Sequence, residues 1–242
     1  MTVFLPEGRD ASRRAPVLPP AKLERRQTGH AILTSPPPYL APDRYPGAIS
    51  QASPWMALAA VLHIRLHILN VSLALPGMLF TDLLVRMGVR IHEEVTSPGA
   101  LEPSGNLDIR SANLRGLAVC SSLAKSLPHE LAIIAVLATA SKGNTTILGW
   151  KQDEDDLEIS LCQTCENLRQ MQASIEVFHE GLHVTGPSSL RGADLQTGGD
   201  PRLASAFSIA ALLAQGESII RDIAPGSIPF QSTWPDHFIE IG

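Results

Sequence analysis

The chain has 242 residues, enough for one large domain or two small ones; 44% are hydrophobic and 18% charged, a balance that excludes wholesale disorder. Nineteen lysines and arginines against 24 aspartates and glutamates give a net charge of −5, which speaks against a dedicated nucleic-acid binder. Three cysteines, an odd number, do not make a disulfide framework and fit a reducing, cytoplasmic setting.

Charge and proline are unevenly spread. Residues 1–50 hold nine of the 19 prolines and carry +3, leaving −8 for the rest. Met1–Pro6 has neither a basic start nor a long apolar stretch, so no signal peptide is expected. Pro36, Pro37 and Pro38 cannot belong to a helix interior or a central strand. Residues 1–45 therefore read as a loosely structured segment, and 46–242 as a packed α/β domain.

Beyond it, Ser53–Leu62 predicts an alanine- and leucine-rich helix, His67–Val71 a β-branched strand, and Leu79–Met87 a second helix. The same order returns as helix Pro128–Ala140, strand Thr145–Trp150, helix Glu158–Met171, and strands Ser174–Phe178 and Leu182–Thr185. It starts a third time as helix Arg202–Ala214 and strand Ser218–Ile223, with a helix expected at Trp234–Ile241. Leu131, Ile134, Ala135 and Ala138 fall at helical spacing. The longest apolar run, Leu131–Ala140, is core-helix length and well short of the roughly 18 residues of a membrane span. Two stretches also repeat: Leu107–Gly116 (LDIRSANLRG) and Leu182–Gly192 (LHVTGPSSLRG). These observations predict tandem βαβαββ units, the third one cut short. The first helices are apolar nearly all round, which places helices inside and sheets outside.

Several isolated motifs carry little. Cys162-Gln163-Thr164-Cys165 falls in mid-helix without a second pair, and reads as core thiols. His63 and His67 straddle a helix and a strand, so no metal site is assigned. Asp153–Asp156 lacks calcium-loop spacing and reads as a solvated helix start.

A family likeness runs from about residue 46 to the end. Pro46–Ala52 (PGAISQA) resembles the PGDISSA stretch of the enolpyruvyl transferases, specifically the 5-enolpyruvylshikimate-3-phosphate (EPSP) synthases. Ile68–Val71 with Phe80–Val89, Leu107–Gly116 and Leu127–Ala138 resemble further family segments. Gly199-Asp200-Pro201-Arg202 stands where the family has GDHR, and Gln231–Phe238 (QSTWPDHF) resembles TSFPxF. A weaker echo, Val3–Arg14, is similar to the family's SRDHTER stretch.

The resemblance implies an inside-out α/β fold in a two-domain enzyme with its site in the cleft, acting in aromatic amino acid biosynthesis by the shikimate pathway. The family's glycine-rich NAGT segment is not in the sequence. Residues 1–45 are then expected to be a remnant of the other domain, and 46–242 the EPSP-synthase-like domain. The implied reaction adds the 5-hydroxyl of shikimate-3-phosphate to phosphoenolpyruvate and eliminates phosphate, with no cofactor or metal. Both substrates are anions, so a competent site needs lysine and arginine forks and acid–base groups.

Residue by residue, the carried-over candidates are His129 and Glu130 as catalytic groups, and Arg9, Ser50, Asp200 and Arg202 as substrate-binding groups. Several family positions are changed. The lysine and arginine of KESDR align with Asp156 and Ser160, and the arginine of NPTRTG with Gly77. The acidic residue of IDEL aligns with His129, and the histidine of GDHR with Pro201. An impaired enzyme is expected, or a non-catalytic binding or assembly module, or one half of a split enzyme. Expected partners are phosphoenolpyruvate-like and shikimate-3-phosphate-like anions, with a partner chain or self-association at the missing-domain face; neither nucleic acid nor a membrane is expected. Two bland readings stand beside the catalytic ones. His129 is equally an exposed polar residue in a helix's first turn, and Asp200 equally an N-cap with Pro201 at the first helical position.

Overall fold

The computed structural model describes residues 2–4, 22–25, 31–34, 49–98, 103–110, 112–149, 155–223 and 239–241. Three strands fall within the first 45 residues: β1 (Thr2–Phe4), β2 (Lys22–Arg25) and β3 (Ala31–Thr34). They are followed by α1 (Ile49–Val61), β4 (Arg65–Ser72), α2 (Met78–Arg86), β5 (Arg90–Ser97) and β6 (Ser104–Arg110). The second unit has β7 (Ala118–Val119), α3 (Ser121–Ser126), α4 (Leu131–Ala140), β8 (Gly143–Leu148), α5 (Asp155–Gln170), β9 (Ser174–Phe178) and β10 (Gly181–Gly186). The third has β11 (Asp194–Leu195), α6 (Pro201–Leu213), β12 (Ser218–Ile220) and β13 (Ile239–Ile241).

The first two units are built alike. Their sheets have the orders β1-β4-β6-β5 and β7-β8-β10-β9, each with one parallel pair followed by two antiparallel ones. In the third sheet, β11-β12-β13, both pairs are parallel, and β2 and β3 form a separate antiparallel hairpin.

Helices α1, α4 and α6 lie inside, touching one another. Every residue from Leu131 to Thr139 in α4 is buried, as are Ala52–Ala60 in α1 and Leu203–Ala211 in α6. A helix without a polar face finds a stable place only where neighbours cover it on all sides. The hydroxyls that enter this core turn back on their own helices: Thr139 donates to the Val136 carbonyl (2.7 Å) and Ser208 to that of Ala204 (2.7 Å). By contrast, α2 buries Phe80, Leu83 and Leu84 while Asp82, Val85 and Arg86 face solvent. The sheets cover the bundle through residues such as Leu66, Ile68, Leu107 and Ile109.

The repeated Leu-Arg-Gly triplet has one structural job, performed twice. The Arg115 amide donates to the Met87 carbonyl, and the Gly116 amide to that of Lys142; the Lys142 amide returns to Leu114. In the next unit Arg191 donates to Met171, Gly192 to Gln215, and Gln215 to Leu190. Each triplet thus ties the end of a helix in one unit, α2 or α5, to the chain just ahead of a strand in the next, β8 or β12. At Gly116 a Cβ would run into the Asn144 carbonyl, and at Gly192 into that of Glu217. Only glycine allows the backbones so close.

Four expectations need correction. The helix predicted from Ser53 begins four residues earlier, with Pro54 inside it. Pro54 has no amide to offer the Ser50 carbonyl, and the Ser53 hydroxyl donates there instead (2.9 Å). The helix predicted from Pro128 begins at Leu131, behind a turn at 128–130 and the unforeseen α3. Of the helix expected at Trp234–Ile241, residues Ile239–Ile241 form a strand along β12, because alternating Ile-Glu-Ile suits an extended chain; residues 234–238 lie outside the described residues, as does Trp150. Residues 1–45, read as loose, contain three strands, one of which completes the first sheet.

Among the described residues no helix is long and apolar enough to cross a membrane. Gly116→Ala and Gly192→Ala are each expected to cost about 1–3 kcal/mol through backbone overpacking, a fall of about 2–4 °C in thermal midpoint for each kcal/mol.

Candidate functional site

Two inner helices, α4 and α6, bring their N-terminal ends together, and the side chains there come from different units. The entry to α6 is made by Thr197-Gly198-Gly199-Asp200. Both glycines have positive φ (57° and 79°), which turns the chain sharply into the helix. Asn167 of α5, fully buried, holds this loop from behind. Its Nδ2 donates to the Gln196 carbonyl (2.7 Å) and its Oδ1 accepts from the Gln196 amide (3.1 Å). Thr197 donates to the Arg221 carbonyl at 2.7 Å, fixing the loop to the end of β12.

Asp200 is the N-cap of α6, and its Oδ1 accepts from the Arg202 amide at 2.8 Å, with Pro201 in the first turn. That is the capping arrangement expected from local sequence. The same carboxylate also binds the Arg202 side chain: Nε lies 2.9 Å from Oδ1 and Nη2 2.8 Å from Oδ2. Burial pushes the Asp200 carboxyl up, but the Arg202 side chain and the Arg202 and Leu203 amides outweigh it, so the group lies below its ordinary range. It is a fixed negative charge at neutral pH.

From this ion pair Arg202 reaches across to the other helix, its Nη1 3.0 Å from Nδ1 of His129. A guanidinium only donates, so Nδ1 accepts and the imidazole proton sits on Nε2. His129 is exposed, in the turn ahead of α4. Its neighbour Glu130 is buried, at 5% exposure. Burial pushes the Glu130 carboxyl up, against the opposing pull of its own backbone amide and the Arg202 charge.

The structure therefore gathers four of the six candidates, His129, Glu130, Asp200 and Arg202, at one place. Ser50 is exposed in the first turn of α1; among the described residues no hydrogen bond or ion pair joins its side chain to the four. Arg9 lies outside the described residues. Gly77, at the start of α2, packs so close to α1 that a Cβ would stand 3.1 Å from that of Ile49, next to Ser50. Ser160 is half-buried on α5, its carbonyl accepting from Thr164. Asn167 and Thr197 were missed as positioning residues; a polar Asn on the apolar side of a helix was the available signal for the first.

The isolated motifs stay apart. Cys162 is exposed and Cys165 buried, and burial pushes the Cys165 thiol up to about 11. His63 sits in the turn after α1, whereas His67 stands beside Asp108 on the first sheet. Among the described residues no group of three or more His, Cys, Asp or Glu is placed to hold a metal.

A sequence profile described as EPSP synthase (3-phosphoshikimate 1-carboxyvinyltransferase) matches residues 20–238. A 3-phosphoshikimate 1-carboxyvinyltransferase of Synechocystis sp. is 30% identical over 242 residues, covering 97% of this chain and 52% of the relative. One of Synechococcus sp. is 31% identical over 183 residues, covering 73% of this chain and 40% of the relative. The chain thus spans about half or less of the length of these relatives. The fold is similar to that of EPSP synthase from Acinetobacter baumannii, with a TM-score of 0.64 and 20% identity over 71% of this chain and 40% of that one. It is also similar to the enolpyruvyl transferase NikO from Streptomyces tendae, with a TM-score of 0.52 and 18% identity over 80% of this chain and 44% of that one.

The elevated Glu130 carboxyl has a pH signature. Between its ordinary value of 4.5 and its raised one, the folded protein holds a proton that the unfolded chain releases, so stability falls as pH rises through that window. Glu130→Gln is expected to raise the thermal midpoint at pH 7, with the gain shrinking as pH drops below the ordinary carboxylate range; a gain that grows toward low pH would contradict the assignment.

Proposed function

Given that the chain belongs to the EPSP synthase family, we propose that it is an EPSP synthase-like protein of the shikimate pathway whose anion clamp is reduced, leaving enolpyruvyl transfer from phosphoenolpyruvate to shikimate-3-phosphate impaired. The observation that carries this reading is the joining of Arg202 to His129, which stands where the family has an acidic residue; the Asp200–Arg202 pair alone is shared with the family's GDHR stretch. The guanidinium at the junction of α4 and α6 is held by the Asp200 carboxylate through three of its contacts and spends a fourth on His129. An incoming phosphate or carboxylate meets an ion pair there.

The resemblance adds further losses. Asp156 and Ser160 stand where the family has lysine and arginine, and Gly77 stands where it has arginine. Each replaces a guanidinium or ammonium that would fork onto an oxyanion. Two helix N-termini still supply amide dipoles favourable to an anion. His129 carries a proton on Nε2, facing away from Arg202, in the place of the family's acidic residue; it is the group available for proton transfer. Weak anion binding without efficient turnover is the combination these residues support.

A second reading, a non-catalytic module that pairs with another chain or with itself, rests on the chain spanning about half or less of the length of its relatives.

Calorimetric titration with shikimate-3-phosphate and phosphoenolpyruvate, alongside a phosphate-release assay, tests the first reading. Binding in the millimolar range without release above background is expected; turnover by this chain would refute impairment. The combined substitution Gly77→Arg, Asp156→Lys and Ser160→Arg should strengthen anion binding by about tenfold or more, the worth of one charged hydrogen bond. No increase would show that these positions do not face the anion.

A further inference from the structure

The outer face of the first sheet carries a charge pattern that the fold does not require. In the register of the sheet, Arg110 of β6 lies opposite Arg65 of β4 on one side and opposite Arg90 of β5 on the other. The three arginines form a row across three strands. In the next row on the same face Asp108 lies between His67 and His92. Beyond it Glu94 is met by the Asn106 amide at 3.2 Å, which closes the patch on that side.

Asp108 is the one carboxylate in the two basic rows. Arg65 binds it with Nε at 2.8 Å and Nη2 at 2.7 Å, and Arg110 approaches at 3.2 Å. The Arg65 hydrogen bonds, reinforced by Arg110 and His67, overcome burial and hold the carboxyl at about 2. It is saturated by two guanidiniums. The side chain of Arg90, exposed at the sheet edge, makes no hydrogen bond or ion pair among the described residues, and the Arg110 side chain remains 58% exposed.

Like charges placed directly opposite on neighbouring strands destabilise a sheet, and a second unit of the same fold shows that the positions do without them. By register, Arg65, Arg110 and Arg90 correspond to Asn144, Thr185 and Ser174 of the second sheet, all uncharged. His67, Asp108 and His92 correspond to Thr146, His183 and Glu176. Charges are a usual defence of an exposed edge strand, which accounts for Arg90; Arg65 and Arg110, however, lie on the two inner strands.

We propose that the row Arg65–Arg110–Arg90 is a binding surface for a linear oligophosphate, separate from the site at the ends of α4 and α6. Strands are spaced by about 4.8 Å, so the row spans about 10 Å. A chain of linked phosphates presents oxygens along such a row; Arg90 and the exposed Arg110 supply the forks, while Arg65 holds Asp108 with its Nε and Nη2. A single phosphate engages one neighbouring pair only.

Calorimetry of the full chain with tripolyphosphate at low salt is the test. Saturable binding is expected, weakened by about tenfold or more in Arg90→Ser plus Arg110→Thr, which copies the residues of the second sheet. Arg90→Ser alone, at an exposed edge, is a variant whose folding is not at stake, and should weaken binding by about threefold or more. Arg86→Ser plus Arg191→Ser removes the same charge from other exposed positions and should change affinity by less than about twofold. Orthophosphate should bind at least about tenfold more weakly than tripolyphosphate. Absence of saturable binding, equal losses in the two double variants, or equal affinity for the two phosphates would overturn the proposal. So would loss of tripolyphosphate binding in Arg202→Ala, which would place the ligand at the helix ends.

Discussion

The structure depends on one constraint: three helices with almost no polar surface must be covered on every side. A single sheet covers one face of a helix, so α1, α4 and α6 pack on one another and the sheets close around them. That arrangement brings α4 and α6 together with their N-terminal ends adjacent, as the contact between His129 and Arg202 requires. Unpaired amides and the positive ends of two helix dipoles are thereby concentrated in one spot. The electrostatic character of the site follows from the core before any particular side chain is considered.

What the side chains add is control over that positive end. Asp200 satisfies the Arg202 amide as an N-cap and holds the same residue's guanidinium. Asn167 anchors the loop that presents it, reaching from α5, whose opposite end begins with the acidic residues Asp155 and Asp156. A buried side-chain amide on α5 thereby fixes the backbone geometry at the entry to α6.

The parts legible in the sequence were those set by local rules or by repetition. Helices such as Leu131–Ala140, apolar all round, announced an interior position because no face was left for water. Asp200-Pro201 announced a cap because both residues act within one turn. The Leu-Arg-Gly triplets announced equivalent positions in a repeat, although their backbone exchange with the chain ahead of β8 and β12 was not visible. The rest depends on contacts distant in sequence or on substitute hydrogen bonds. The first turn of α1 exists because the Ser53 hydroxyl stands in for the amide that Pro54 lacks. The strand at Ile239–Ile241 depends on β12 as a partner. The meeting of His129 and Arg202 spans 73 residues and two units, which no window of sequence reveals.

The repeat also separates what folding demands from what it merely permits. Two units share strand order, pairing directions and the junction hydrogen bonds, yet one sheet faces solvent with a row of arginines and the other with Asn, Thr and Ser. Residues that the common fold needs recur, as Gly116 and Gly192 do. Residues that differ at equivalent positions are free to answer other demands. At the end of α6 the two kinds of demand meet in one carboxylate. The amides that Asp200 caps are donors an anion would use, and the guanidinium it binds is the cation an anion would seek. The better Asp200 serves the helix, the less positive the site becomes. Stability of the inner bundle and affinity for an oxyanion are thus set against each other at a single residue.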